Sequence, residues 1–154
     1  MKRAEVSGTD WTIPQAHYKT GLEMVIPLSP AAIAILDSAP RIGSDFVFTN
    51  DGKRTIGGFS KFKHAFDAIC GVTDWTLHDL RRTARSLMSR AGVQSDHAER
   101  CLGHVLPGIR GTYDKHEYRD EKRRAFEALA SLVERIVNPQ TNIVPLQKPA
   151  DVKA

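Results

Sequence analysis

The C-terminal part of the chain contains the feature that most limits its fold, an amphipathic segment from Asp120 to Val137. Its apolar residues recur three and four positions apart, the spacing of one face of an α-helix, and they are Phe126, Leu129, Leu132, Val133 and Ile136. Such a face packs either on the rest of the chain or on a neighbouring protomer, and the pattern fits both. We therefore expect a helical body.

Further helices are predicted upstream. Ser29 and Pro30 suit the N-cap and first position of a helix that ends at about Ser38. A helix from Phe59 to Gly71 and a helix opened by the capping box of Thr76 and Asp79 each carry an apolar stripe. The stripe of the first of these helices is Phe62, Ala65, Phe66 and Ile69. The stripe of the second is Leu80, Ala84, Leu87, Met88 and Ala91, and Gly92 follows it. A shorter helix runs from Ser95 to Gly103.

The N-terminal region has the pattern of strands rather than helices. Short strands are predicted over Thr9 to Pro14 and Glu23 to Leu28, with Lys19, Thr20 and Gly21 at a hairpin tip. Phe46 to Phe48 reads as another short strand. The expected fold is α+β and mainly helical, with a small N-terminal antiparallel sheet packed on a helical body. We expect one domain over residues 1–138 and a flexible tail over residues 139–154.

Charge and composition restrict the function. The longest apolar run, Ile26 to Leu36, is interrupted by prolines and too short for a bilayer, and no signal peptide is visible, so we expect a cytoplasmic protein without membrane contacts. Cys70 and Cys101 lack metal or disulfide spacing and are expected to be reduced. The net charge is +4, but eight Lys and Arg against three Asp give +5 between Lys53 and Arg90. This segment suits a polyanion, although a solvated helix face explains the charge as well.

One set of residues in this region has the chemistry of a phosphate site. His78 and Arg81 lie one turn apart at the start of a predicted helix, whose N-terminal end favours an anion. Arginine can grip two phosphate oxygens at once, as lysine cannot. Leu102, Gly103 and His104 follow, and then Tyr113.

These residues resemble the tyrosine site-specific recombinases, particularly the integrases of bacteriophages and genomic islands. The resemblance runs from about Trp11 to Val137, and several boxes in order carry it. Leu77-His-Asp-Leu-Arg-Arg-Thr-Ala84 resembles the box of the second catalytic arginine, Leu102-Gly-His104 the next box, and Thr112-Tyr113 the nucleophile. Lys19 to Pro27 is similar to the hairpin of the catalytic lysine, and Tyr113 to Lys122 to the segment before the C-terminal helix in island integrases.

The resemblance implies the catalytic domain fold of DNA breaking-rejoining enzymes and site-specific recombination without a metal or other cofactor. Tyr113 would attack a backbone phosphate and form a 3′-phosphotyrosyl intermediate. Arg81 and His104 would stabilise the transition state by donating hydrogen bonds, His78 would assist proton transfer, and Lys19 would protonate the 5′-hydroxyl that leaves. The implied partners are double-stranded DNA attachment sites and further copies of the chain, as a tetramer on DNA.

Alternatives remain at this point. The family's first catalytic arginine lies on a helix upstream of the lysine and has no counterpart here, so we expect an N-terminally truncated catalytic domain of reduced activity. Tyr118 is a rival nucleophile at a less suitable spacing. The chain could also be a catalytically inactive DNA-binding remnant, or a regulator in which Met88 to His104 forms a helix-turn-helix. A type IB topoisomerase shares the chemistry, but the segment after Tyr113 argues against it.

Overall fold

The computed structural model describes residues 1–18, 21–43, 45–104 and 116–140. The helices in these ranges are α1 Pro30–Ser38, α2 Phe59–Cys70, α3 Leu77–Arg90, α4 Ser95–Cys101 and α5 Arg119–Val137. The strands are β1 Val6–Ser7, β2 Asp10–Ile13 and β3 Met24–Pro27, and single turns of 3₁₀-helix occupy Arg3–Glu5 and Gln15–His17. The described chain is mainly helical with a small sheet, as expected for the α+β class. None of its described helices is long and apolar enough to cross a bilayer.

The sheet is antiparallel throughout, with strand order β1-β2-β3. Trp11 on β2 lies opposite Val6 on β1 and Ile26 on β3. The two predicted strands are therefore present and paired, whereas β1 has only two residues and too little pattern to be recognised in the sequence. Lys19 and Thr20, at the predicted hairpin tip, lie outside the described residues.

The prediction of a strand over Phe46 to Phe48 is wrong. Phe46 pairs with Lys2 as an isolated β-bridge, and the backbone amide of Val47 donates a hydrogen bond to the carbonyl oxygen of Met1. The partner cannot continue as a strand because the chain turns into the 3₁₀-helix directly after Lys2. A single bridged pair does not make a β-strand, because a strand requires several consecutive residue pairs.

The helix ends follow their sequence signals. The Ser29 hydroxyl accepts a hydrogen bond from the Ala32 amide at 3.3 Å, so it caps α1 as predicted. At the start of α3, the Asp79 carboxylate accepts from the backbone amide of Thr76 at 2.9 Å and from its hydroxyl at 2.8 Å. These bonds hold the pKa of Asp79 below its ordinary value, and the bond from the Thr76 hydroxyl has the larger effect.

The core lies where α3, α4 and α5 meet. Its fully or almost fully buried side chains are Met88, Ala98, Cys101 and Ala125, and Val93, Phe126 and Leu129 pack against them. Helix α5 packs on α3, α4 and β3 of the same chain. Packing within the chain is thus one of the two arrangements that the sequence allowed, and it is the one seen here.

A carboxylate clamp joins α5 to the sheet. Asp10, at the start of β2, is buried and accepts hydrogen bonds from Arg119 and Arg123, one helical turn apart on α5. The Arg123 contact measures 2.9 Å. Burial alone would raise the pKa of Asp10, but the hydrogen bond and charge of Arg119, followed by those of Arg123, outweigh it and lower the pKa.

The apolar face of α2 is not covered by the described residues. The stripe correctly predicts a helix, yet Phe62 is 50% exposed, Phe66 55% and Ile69 86%. Helical periodicity shows which face is apolar and does not show what covers it. The described cysteines are both free thiols, Cys70 exposed and Cys101 buried.

Candidate functional site

The candidate site forms where α3 meets the turn that follows α4. Arg81 is half-buried on α3, and its Nη2 atom donates a hydrogen bond to the carbonyl oxygen of Leu102. The same Nη2 lies 2.9 Å from Nε2 of His104. Two residues that are 23 positions apart in the sequence therefore share one site.

The turn that carries His104 has a defined conformation. Gly103 has a φ of +66°, which favours glycine, and its amide bonds to the carbonyl of Arg100 at 3.0 Å. The His104 amide bonds to the carbonyl of Glu99, also at 3.0 Å. On the other side, the Tyr18 hydroxyl donates to the carbonyl oxygen of Gly103 at 3.1 Å. The turn after α4 and the end of the 3₁₀-helix Gln15–His17 are thus joined beside the site.

Glu99 contacts the imidazole of His104 at Nδ1, the ring nitrogen that does not face Arg81. Its Oε2 accepts a hydrogen bond from Nδ1 of His104, and its Oε1 accepts from Nε of Arg85 at 2.7 Å. Arg85 is itself held by the hydroxyls of Ser89 at 2.6 Å and Ser95 at 2.9 Å. The bond from His104, followed by that from Arg85, lowers the pKa of Glu99. The carboxylate is therefore ionised at neutral pH.

The tautomer of His104 follows from the fixed roles of its neighbours. A guanidinium can only donate hydrogen bonds, so Nε2 of His104 must accept from Arg81. An ionised carboxylate can only accept, so Nδ1 must carry the proton that faces Glu99. His104 is thus the neutral Nδ1–H form in this arrangement.

Within the described residues, Nε and Nη1 of Arg81 make no hydrogen bond, and the hydrogen bonds of this side chain are made by Nη2. Arg82, the next residue on α3, points away, with its side chain 75% exposed, and pairs with Asp79 at 3.0 Å. Arg82 and Arg85 both make salt bridges, to Asp79 and Glu99 respectively.

A cleft of about 330 Å³ lies beside His104, between α4 and the sheet. Lys122 of α5 is buried at its wall, donates to the carbonyl of Val25 at 2.9 Å, and has its pKa lowered by the burial. Tyr18, Glu23, Arg100 and Glu117 also line the cleft. The part of the chain that the structure describes holds no cluster of three or more His, Cys, Asp or Glu placed to bind a metal ion.

The chain is similar in sequence to two prophage integrases. No family profile and no solved structure matches the chain significantly. The chain is 27% identical over 133 residues to prophage integrase IntA of Escherichia coli strain K12, covering 84% of this chain and 32% of that protein. It is 30% identical over 129 residues to prophage integrase IntZ of the same strain, covering 82% of this chain and 32% of that protein. The chain is related to prophage integrases.

The integrase-related chain spans about a third of the length of these curated relatives. Of the five site residues predicted from its sequence, the structure brings Arg81 and His104 into contact. His78 lies on the first turn of α3, one turn before Arg81, and is exposed. Lys19 and Tyr113 lie outside the described residues, so their roles stay predictions.

Two residues of the site were missed in the sequence. Glu99 is five positions before His104, and Tyr18 directly precedes the predicted lysine. The place of Arg85 beside the site could have been predicted from the sequence, because Arg85 is one helical turn after Arg81 and so lies on the same face of the helix. No comparable local signal identifies Glu99, because its bond to Arg85 joins different helices.

Proposed function

We propose that this chain carries the phosphate-binding part of a site-specific recombinase that breaks and rejoins DNA through a tyrosine nucleophile. The observation that carries the proposal is the pairing of Arg81, on α3, with His104, in the turn after α4, at the edge of a cleft. Relationship to prophage integrases supports integration of DNA as the reaction. The partners we propose are double-stranded DNA attachment sites and further copies of the chain.

Each predicted residue then has one role. The hydroxyl oxygen of Tyr113 attacks the phosphorus, the bond to the 5′-oxygen breaks, and a 3′-phosphotyrosine forms. Arg81 neutralises the charge on the non-bridging oxygens, and His104 contributes a hydrogen bond. His78 takes up the phenolic proton, and Lys19 gives a proton to the 5′-oxygen. The phosphate ester energy is kept, so a second strand can reverse the step.

The surroundings of Tyr118 favour Tyr113 as the nucleophile. The guanidinium of Arg100 lies 3.8 Å from the centre of the Tyr118 ring, and His116 and His97 contact the ring at 4.7 Å and 5.7 Å between centroids. Tyr118 also forms the N-cap of α5 with a φ of +53°. These contacts give it a packing role that a mobile nucleophile would not have.

The packing of α4 disfavours a helix-turn-helix regulator. A recognition helix must present one face to the major groove. Of the seven residues of α4, only Ser95 is exposed, and the helix packs against both α3 and α5. A binding-only function would therefore need another surface of the described chain.

A nicked duplex that carries the element's attachment site tests the proposal, since strand loss after cleavage traps the covalent intermediate. The chain itself and a version extended to the length of its relatives are incubated with this substrate. We expect an adduct that disappears in Tyr113→Phe and persists in Tyr118→Phe. An adduct that survives Tyr113→Phe refutes the assignment, and DNA binding without any adduct in either version favours the binding-only alternative.

A further inference from the structure

The His104 imidazole is placed between a donor and an acceptor whose roles cannot change. Arg81 only donates, and ionised Glu99 only accepts, so Nε2 of His104 presents a lone pair to Arg81. A phosphodiester oxygen also only accepts hydrogen bonds. It cannot take the place of Arg81 at Nε2 unless that nitrogen first gains a proton.

The Glu99 carboxylate can support this second proton. It contacts Nδ1 directly and lies on the side of the ring away from Arg81, so it balances the charge of an imidazolium. Arg85 keeps Glu99 in place, and the hydroxyls of Ser89 and Ser95 keep Arg85 in place. The network therefore holds the ring in one orientation in both protonation states.

We propose that Glu99 is a positioning residue for His104 and that a DNA phosphate enters by displacing the Arg81–His104 hydrogen bond, with uptake of a proton from solvent onto Nε2. No covalent bond changes in this step. Arg81 turns from the imidazole to the phosphate, and the protonated Nε2 donates to a second phosphate oxygen. The inference rests on the proposed function in taking the anion to be a DNA phosphate.

Other charges face the same space. Arg81 and Arg85 belong to α3, and Glu99 to α4, while the walls of the cleft beside His104 add Glu23, Arg100, Glu117 and Lys122. Among the described residues, Glu99 is the carboxylate that hydrogen-bonds to the imidazole. The entering phosphate adds a negative charge next to Arg81, which removes the main electrostatic obstacle to an imidazolium.

Nitrogen NMR of the histidine side chains tests the proposal directly, because the pattern of the two ring nitrogens distinguishes each tautomer from the imidazolium. The full chain is labelled with ¹⁵N and titrated at neutral pH with a short duplex DNA of arbitrary sequence, whose phosphodiesters do not titrate there. We expect His104 to change from the Nδ1–H pattern to that of the imidazolium. A ring that stays neutral at saturating DNA overturns the proposal.

The variant Glu99→Gln tests the positioning role. It keeps the size of the side chain and removes the charge, so we expect the imidazolium pattern to be lost in the DNA complex. The affinity of the wild type for DNA should fall with rising pH by up to about tenfold per pH unit where the proton is taken up, and this slope should flatten in the variant. Glu127→Gln removes an exposed charge on α5 and should behave as wild type. Proton uptake in Glu99→Gln equal to wild type refutes the role of Glu99.

The trapping experiment with Tyr113→Phe separates this inference from the proposed function. A Tyr113 adduct with a neutral His104 refutes the inference alone. Proton uptake at His104 without any Tyr113 adduct refutes the proposed recombination chemistry and leaves the DNA phosphate site standing. The measurement on the wild-type protein also remains decisive if Glu99→Gln does not fold.

Discussion

The hydroxyl of Tyr18 donates a hydrogen bond to the carbonyl oxygen of Gly103 at 3.1 Å. This bond joins the residue before the predicted catalytic lysine to the residue before His104. It connects the segment between β2 and β3 to the turn after α4, 85 positions away in the sequence. The contact therefore ties the residue before the predicted hairpin tip to the turn that carries His104.

Gly103→Ala should destabilise the protein by about 1–3 kcal/mol, because alanine is strained at a φ of +66° and its Cβ would collide with the Tyr18 hydroxyl. Urea unfolding measures the change. The cost should be smaller by at least about 0.5 kcal/mol when Tyr18→Phe is already present. Gly57→Ala is the control, since Gly57 has no positive φ and an added Cβ meets nothing within 4 Å. Equal costs at Gly103 and Gly57 would contradict the geometry.

Replacing Asp10 should weaken the attachment of α5 to the sheet. Asp10→Asn is expected to cost about 1–3 kcal/mol at neutral pH, because it leaves Arg119 and Arg123 without their carboxylate, and solvent screens the half-exposed Arg119. The folded pKa of Asp10 is lowered, so its contribution is present above the unfolded pKa and is lost as pH falls through the folded pKa. The difference from wild type in unfolding free energy should therefore shrink in acid. Asp37→Asn, on an exposed position of α1, is the matched control and should unfold like the wild type at neutral pH.

The two thiols should differ in reactivity. Cys101 is buried, and burial raises its pKa to about 11, so little thiolate forms at neutral pH. Cys70 is exposed. Iodoacetamide should label Cys70 in the native protein and both residues after denaturation, as read by mass spectrometry of peptides. Rapid native labelling of Cys101 would show that the core at α4 and α5 opens readily.

Arg81→Lys should lower the rate of covalent adduct formation by about a hundred- to a thousandfold, since lysine cannot hold the phosphate with a planar pair of donors. Arg82→Lys is the matched control on the same helix, because Arg82 is exposed and pairs with Asp79. It should react at nearly the wild-type rate. Equal losses in both variants would indicate a general effect of charge and count against a specific site at Arg81.

Met88 and Ile69 test the contrast between the core and the apolar face of α2. Met88→Ala should cost about 2–5 kcal/mol, because its side chain is fully buried between α3, α4 and α5. Ile69 is 86% exposed, so Ile69→Ala should change the unfolding free energy by less than about 0.5 kcal/mol. A large cost at Ile69 would mean that the face of α2 is covered in solution.

The local elements of this protein could be predicted from its sequence because their signals are local. Ser29, Gly71 and the pair of Thr76 and Asp79 mark helix ends through hydrogen bonds or backbone angles within a few residues. The short strand-like segments and the turn residues between them, which predict β2 and β3, are equally short in range. The strand predicted over Phe46 to Phe48 did not form, because a strand also needs a partner strand. The N-terminal residues that could pair with it enter a 3₁₀-helix after Lys2.

The helix and strand pattern could be predicted from the sequence, and so could an ordered set of residues with phosphate chemistry. Which side chains meet depends on how the helices and the sheet pack: Arg81 meets His104, His104 meets Glu99, and Asp10 meets the arginines of α5. The contacts of Arg81 with His104 and of Asp10 with α5 join distant segments, whereas that of His104 with Glu99 depends on the turn after α4. The strength of all of them depends on burial and on fixed donor and acceptor roles. Such properties arise only when the helices pack, so periodicity and spacing cannot contain them.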